Sequence, residues 1–225
     1  MKHLFIVNPT AGGKDKTEEV RARVSAAFAN RKDEVEVYVT KAPMDAARKI
    51  EAEAKTAEHL RVYACGGDGT FNECVCGAAG KPNVAVAPLP TGTGNDFCRM
   101  FGDEKDLFRD LDALLEGTER PIDLIDCNGR YCANICSVGV DARIGTDVHK
   151  YSHIPLIGKY AKGEADQMPA FIKHIRSSGE LTIRCDKEDV AQLDGEALRA
   201  KEFRVRMVPG ALNLIIPKGM KFFEK

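Results

Sequence analysis

The apolar run Val62 to Cys65 passes through Gly66-Gly67-Asp68-Gly69-Thr70 into an amphipathic run, Phe71 to Ala79. That pattern reads as strand, tight loop and helix. Glycines let backbone N–H groups turn toward a ligand and let its phosphates approach closely. The helix starting near Thr70 points its positive end at the same place. Asp68 puts one carboxylate there, suited to a magnesium ion bound to those phosphates. Plain α/β turns also use Gly-Gly, so this segment alone leaves both readings open.

Two further segments repeat the design. Leu4 to Val7 runs into Asn8-Pro9-Thr10-Ala11-Gly12-Gly13-Lys14, and Val84 to Ala87 runs into Pro88-Leu89-Pro90-Thr91-Gly92-Thr93-Gly94-Asn95-Asp96-Phe97. Asn95 or Asp96 is placed to cap the helix that follows. In an open α/β sheet, ligands bind at the carboxyl ends of the strands, so three such loops can line one nucleotide crevice.

Strand-like runs at Leu4–Val7, Val35–Val39, Arg61–Cys65 and Val84–Ala87 alternate with helical runs near Thr17–Ala29, Asp45–Ala57, Thr70–Ala79 and Lys105–Glu116. This predicts a three-layer α/β/α domain over residues 1–120 with a mostly parallel sheet. Pro121 marks its edge. After it, Ile122–Asp126, Arg130–Cys136, Leu181–Cys185, Phe203–Val208 and Leu212–Ile216 read as strands, with Asn128-Gly129 as a hairpin turn. A mixed helical stretch near 147–176, broken by Pro155 and Pro169, interrupts them. Residues 121–225 therefore read as a second, mainly antiparallel domain.

The 225 residues suffice for one good core or two modest ones. Hydrophobic content of 44%, charged content of 30% and a net charge of −1 describe an ordinary soluble chain and argue against nucleic-acid binding. No apolar stretch approaches the roughly 20 residues that span a bilayer. The N-terminus reads as a first strand rather than a signal peptide. The eight cysteines lack zinc spacing and read as buried, reduced thiols of a cytoplasmic protein. His149 and His153 stand four apart without a metalloprotease pattern and read as surface residues.

The loops at Asn8–Gly13, Gly66–Thr70 and Gly92–Phe97 resemble, in order and spacing, the diacylglycerol kinase catalytic domain, and most closely its bacterial soluble lipid kinases. Asn134, the run Ser137-Val138-Gly139-Val140-Asp141-Ala142 and Leu193-Asp194-Gly195-Glu196 extend the likeness over nearly the whole chain. The middle loop is shared with phosphofructokinases and NAD kinases; its combination with Gly-Thr-Gly-Asn-Asp and a late Asp-Gly-Glu is specific. The resemblance implies ATP and Mg2+ as cofactors, with transfer of the γ-phosphate to a lipid hydroxyl, diacylglycerol leading. It assigns Asn8, Pro9, Thr10, Ala11, Gly12, Thr40, Gly66, Gly67, Gly69, Thr70, Phe71, Asn72, Thr93, Gly94 and Asn95 to the nucleotide. Asp68 and Asp96 become metal ligands of the catalytic centre, Glu196 the general base, and Lys14 and Asp123 charged positions near the domain hinge.

The same resemblance implies a β-sandwich-like second domain that closes over the nucleotide, peripheral contact with the inner face of the membrane, and homodimers. The tail from Lys218 to Lys225 interleaves bases and aromatics, which suits an anionic lipid surface; a frayed terminus is the competing reading. Two other functions stay open: a kinase of NAD or another small molecule, and a nucleotide-binding relative without catalysis. One departure stands out. In relatives a long stretch, including an acidic loop, separates the strand resembling Leu181–Cys185 from the Asp-Gly-Glu. Here only Lys187 to Gln192 fill the gap.

Overall fold

Four strands pair in parallel in the first part of the chain, in a computed structural model that describes residues 1–91, 95–139, 142 and 179–224. They are β1 (Lys2–Val7), β2 (Glu34–Val39), β3 (Leu60–Gly66) and β4 (Val84–Pro90), in the order β2-β1-β3-β4. From Leu4 to Val7 every side chain of β1 is buried, as are Val62 to Cys65 of β3 and all of β4. Strands covered on both faces read as continuous apolar runs, which is why the sequence shows them without alternation. Pro88 and Pro90 lie on β4 beyond Ala85 and Val86, the residues at which it pairs with the end of the last strand. Their missing N–H groups therefore cost no ladder bond on that side.

Helices α1 (Thr17–Phe28), α2 (Asp45–Glu53) and α3 (Asp68–Ala78) connect the strands. Helix α1 buries Val20, Val24 and Phe28 at a spacing of four, and just ahead of it the Asp15 carboxylate accepts from the Thr17 N–H at 2.8 Å. Helix α2 begins at Met44, in the left-handed region with φ 61°. Its first amides are satisfied by α3: the Glu73 carboxylate accepts from the N–H of Met44 at 2.8 Å and of Ala46 at 3.3 Å. These helices pack tightly, since a Cβ on Gly77 would stand 2.8 Å from the Ala47 Cα.

The expected helix over Lys105–Glu116 is split. Residues 102–109 form a 3₁₀ turn, α4 (Asp96–Arg99) precedes it and α5 (Leu111–Leu115) follows. Asp110 causes the break: it takes extended φ/ψ and accepts from the Ala113 N–H, starting a new helix.

Strand β5 (Thr118–Cys127) runs through Pro121. The chain forms two compact units, residues 1–124 with 208–225, and residues 125–207. The return of the last strand to the first unit is what a single division at 120 leaves out. The tail is docked there. Glu104 accepts from the N–H groups of Lys221 and Phe222, and Phe101 packs edge-on against both Phe222 and Phe223.

In the second unit, β5 and β6 (Arg130–Cys132) make the hairpin expected at Asn128-Gly129, with φ 52° and 83°. Strand β7 (Cys136–Val138) pairs antiparallel with β8 (Leu181–Leu193), and β8 with β9 (Glu196–Ile216). The run Arg130–Cys136 is thus two strands. Strand β9 joins both runs expected at Phe203–Val208 and Leu212–Ile216, bending at Gly210 with φ 60°. Cys127, Cys132, Ala191, Leu193 and Phe203 form the unit's core. At the shortened segment, Arg184 pairs with Glu202 and Asp189 with Ala200, so residues 185–188 bulge opposite Lys201. The fold class matches the expectation: mixed α/β, mostly parallel at first, antiparallel and strand-rich later. Thr93, Gly94, His149, His153 and the stretch near 147–176 lie outside the described residues. Among the described residues no helix is long and apolar enough to cross a membrane.

Candidate functional site

The parallel register brings the carboxyl ends of the strands level. Val7 pairs with Val39 and Cys65, and Gly66 with Pro90. The residues that follow are tied across the ends: Asn8 N–H to the Cys65 carbonyl at 3.3 Å, Thr40 N–H to Val7 at 2.9 Å, and Thr91 N–H to Gly66 at 3.2 Å. Asn8, Thr40, Gly66–Thr70 and Thr91 therefore share one edge of the sheet, where an open α/β fold places its ligand.

Each loop has its own local cause. The Asn8 side-chain oxygen accepts from both the N–H and the hydroxyl of Thr10, folding Asn8-Pro9-Thr10 back on itself. Ala11 then enters a 3₁₀ turn in which Gly12 and Gly13 take φ 70° and 74°. Thr40 turns its hydroxyl inward to the Val7 carbonyl at 3.3 Å. The glycines of the middle loop differ in role. A Cβ on Gly66 would lie 2.3 Å from the Thr70 hydroxyl oxygen; one on Gly67 would meet nothing within 4 Å among the described residues. Gly66 is thus required by the packing of buried Thr70, whereas Gly67 faces open space at the N-terminus of α3. That space, fronted by the N-terminus of α3, fits phosphate oxygens.

Asp68 links this loop to the next. Its carboxylate accepts from the N–H of Asn95 at 2.7 Å and of Phe97 at 3.3 Å, holding Asn95 in the left-handed region with φ 80°. Carboxylate oxygens carry further lone pairs, so the ties leave Asp68 able to bind a cation. Asp96 is exposed and pairs with Arg99. Among the described residues no group of three or more His, Cys, Asp or Glu is arranged to hold a metal. Magnesium commonly takes one or two carboxylates plus substrate phosphates, and Asp68 with a nucleotide meets that description. Phe71 and Asn72 are buried, and the Phe71 ring packs 4.5 Å from that of Phe97, so their side chains serve the core. A cleft of about 220 Å³ beside Asn95 is lined by Arg99, Lys105, Asp106 and Arg109, with Arg99 paired to Asp96 and Arg109 to Asp106.

In the second unit, Asp194 and Gly195 form the two-residue β8–β9 turn with φ 49° and 96°, and Glu196 is exposed just after it. The Asp194 carboxylate accepts from three successive amides, Ala133 at 2.7 Å, Asn134 at 3.1 Å and Ile135 at 2.9 Å. This is what divides β6 from β7. Sequence reasoning assigns no role to the Asp194 side chain; its signal is an aspartate before a glycine, which also reads as a bare turn.

The family profile described as diacylglycerol kinase catalytic domain matches residues 2–127. The chain belongs to this family. It is 35% identical to the diacylglycerol kinase of Bacillus subtilis strain 168 over 148 residues, 64% of this chain and 48% of that protein. It is 40% identical over 144 residues to a Pseudomonas aeruginosa protein named lipid kinase YegS-like, covering 64% of this chain and 46% of that one. The chain thus spans about half the length of the curated relatives it matches. The crystal structure of a Bacillus anthracis diacylglycerol kinase superposes with a TM-score of 0.64 at 20% identity, covering 97% of this chain and 98% of that one; this likeness shows the fold. Membership places the chain in a lipid kinase family.

Proposed function

We propose that the protein is an ATP-dependent lipid kinase that transfers the γ-phosphate to the hydroxyl of diacylglycerol. The observation that carries this reading is the open space at Gly67, in front of the α3 N-terminus and level with Asn8, Thr40 and Thr91. The N-terminus of α3 fronts that space, which favours an anion, and the Asp68 tie fixes the neighbouring loop. Phosphoryl transfer requires held phosphates, neutralised charge and a group to take the acceptor's proton. The amides of the Gly66–Thr70 loop supply the first. Magnesium, bound with the nucleotide and held by Asp68 and by Asp96 once released from Arg99, supplies the second. Glu196 supplies the third, on a turn whose aspartate is fully engaged in bracing it. NAD kinase relatives share the glycine loop, but the Thr91–Asp96 segment and Glu196 fit the lipid kinase better.

The proposed site of action is the surface of a membrane, approached from the cytoplasm, with the lipid alcohol as the acceptor substrate. The test is turnover of radiolabelled ATP with diacylglycerol in mixed micelles, for the wild type and Glu196→Gln. A base acts in the chemical step, so the variant loses transfer while keeping its ATP affinity within about twofold. Wild-type protein that phosphorylates NAD and no lipid refutes the proposal. A Glu196→Gln variant with normal turnover refutes the assignment of the base.

A further inference from the structure

Three cysteines of the second unit share one environment. Cys127 and Cys132 are fully buried in its core, and Cys136 packs against them with partial exposure. The cross-strand register explains the grouping. Ile125 faces Cys132 and Cys127 faces Arg130, so Cys127 and Cys132 point to the same face as diagonal neighbours. Such diagonals are roughly 7–8 Å apart at Cα, beyond the usual disulfide span of up to about 6.8 Å. Cys136 enters from β7 and packs against the core cluster that holds both. Between Cys132 and Cys136 lie only residues 133–135, the loop held by Asp194.

We propose that Cys136 is a peroxide-reactive thiol resolved by Cys132, and that the resulting disulfide clamps the loop that braces the Glu196 turn. Cys136 is the one of the three that a small oxidant reaches, because the others are buried. The neighbouring Cys132 and Cys127 thiols favour its thiolate, lowering its pKa to about 7 despite burial and the nearby Asp194 carboxylate. The Cys132 thiol is correspondingly held protonated by its Cys136 neighbour and by burial, with its pKa far above the ordinary range. A thiolate that is accessible and stands beside a second thiol has the attributes of a sensor cysteine.

The chemistry balances with hydrogen peroxide as oxidant. The Cys136 thiolate attacks one peroxide oxygen; the O–O bond breaks, water leaves after one proton is taken up, and Cys136 becomes a sulfenic acid. The Cys132 sulfur then attacks that sulfur, an S–S bond forms, and the S–O bond breaks. The Cys132 proton leaves with the hydroxide as a second water. Two thiols lose two electrons, and one peroxide gains them. Reduction by a dithiol reverses the pairing.

The disulfide draws together the two ends of the 133–135 loop, whose three amides hold Asp194. Displacing them releases the turn that presents Glu196; this consequence for activity rests on the proposed role of Glu196. Cys185, packed on the same core, serves as the control.

The full chain, fully reduced, is treated with hydrogen peroxide, blocked with N-ethylmaleimide and digested with trypsin without reductant. Cys132 and Cys136 lie on one tryptic peptide, residues 131–143, and Cys127 on another. The expected product is the 131–143 peptide lighter by two hydrogen atoms, unchanged in C185S, absent in C132S and C136S. In C132S, dimedone should instead label Cys136. Absence of the internal disulfide, its replacement by a Cys127–Cys136 or Cys136–Cys185 link, or C132S protein that dimedone leaves unlabelled overturns the couple. In the lipid kinase assay, oxidised wild type should lose at least about tenfold in turnover and recover with dithiothreitol, while C136S keeps full turnover before and after peroxide. An internal disulfide with unchanged turnover overturns the clamp. If the reduced protein shows no lipid kinase activity, the proposed function fails and the peptide map still decides the thiol couple.

Discussion

Two adjacent alanine substitutions separate a phosphate cradle from an ordinary α/β turn. At Gly66 a new Cβ would stand 2.3 Å from the Thr70 Oγ1, 2.6 Å from its Cβ and 3.0 Å from its Cγ2. Thr70 is buried within α3 and cannot swing away, so the loop or the helix start must shift. Overpacking of this kind costs about 1–3 kcal/mol. At Gly67 the backbone has φ −104° and ψ −164°, which alanine adopts without strain, and nothing among the described residues lies within 4 Å of a new Cβ. Alanine lowers the entropy of the unfolded chain, worth roughly 0.4–1 kcal/mol, and loses about as much as a helix N-cap. The stability of Gly67→Ala should therefore stay within about 0.5 kcal/mol of wild type by urea unfolding. Its ATP affinity should fall at least about tenfold by calorimetry, or roughly 1.4 kcal/mol, because the methyl group fills the space the phosphates need. A Gly67→Ala protein that binds ATP like wild type refutes the cradle. A Gly66→Ala protein of unaltered stability refutes the packing argument.

Three other perturbations test the remaining joints. Asp68→Asn keeps one acceptor for the Asn95 amide but sets an NH₂ against the Phe97 N–H, and it removes the charge; turnover measured across a magnesium titration should fall by at least about 10². Asp194→Ala leaves three amides without their acceptor and should cost about 2–4 kcal/mol in the second unit, read as faster hydrogen exchange at residues 133–135. His3 is buried beside Tyr63, and burial lowers its pKa to about 4. The unfolded state, titrating near 6.5, then binds more protons between those values, so stability is full above about pH 6.5 and declines to about pH 4, by about 3 kcal/mol at most. His3→Phe should flatten that part of the acid unfolding profile; an unchanged profile contradicts the burial argument.

The first unit was legible because β1, β3 and β4 are buried on both faces and end in loops of distinctive composition. Leu4–Val7, Val62–Cys65 and Val84–Ala87 each appear in the sequence as unbroken apolar runs, and each lies inside its strand. The second unit was harder to read where side chains, not periodicity, decide the backbone. Nothing local in Arg130–Cys136 announces a break at Ala133, because the cause is Asp194, some sixty residues away. Nor does a helical pattern at Lys105–Glu116 reveal that Asp110 will restart the helix. The site was legible as a set of loops but not as a division of labour within them.

That division changes what a motif match implies about individual residues. In Gly66-Gly67-Asp68, the first glycine is consumed by Thr70, the second faces open space, and the aspartate is tied to the neighbouring loop. In Asp194-Gly195-Glu196, the aspartate anchors residues 133–135, the glycine supplies φ 96°, and Glu196 is exposed just after the turn. A residue wholly engaged within the protein can matter to catalysis only by holding another in place, and its loss must register in stability as well as in rate. A residue facing open space has no such partner, so its loss can register in binding or rate alone. Gly67 and Glu196 fall in the second group, Gly66 and Asp194 in the first. Asp68 belongs to both, since its oxygens accept two amides and retain lone pairs for a cation. Its substitution should therefore lower stability and turnover together, with turnover falling further than the loss of folded protein can explain.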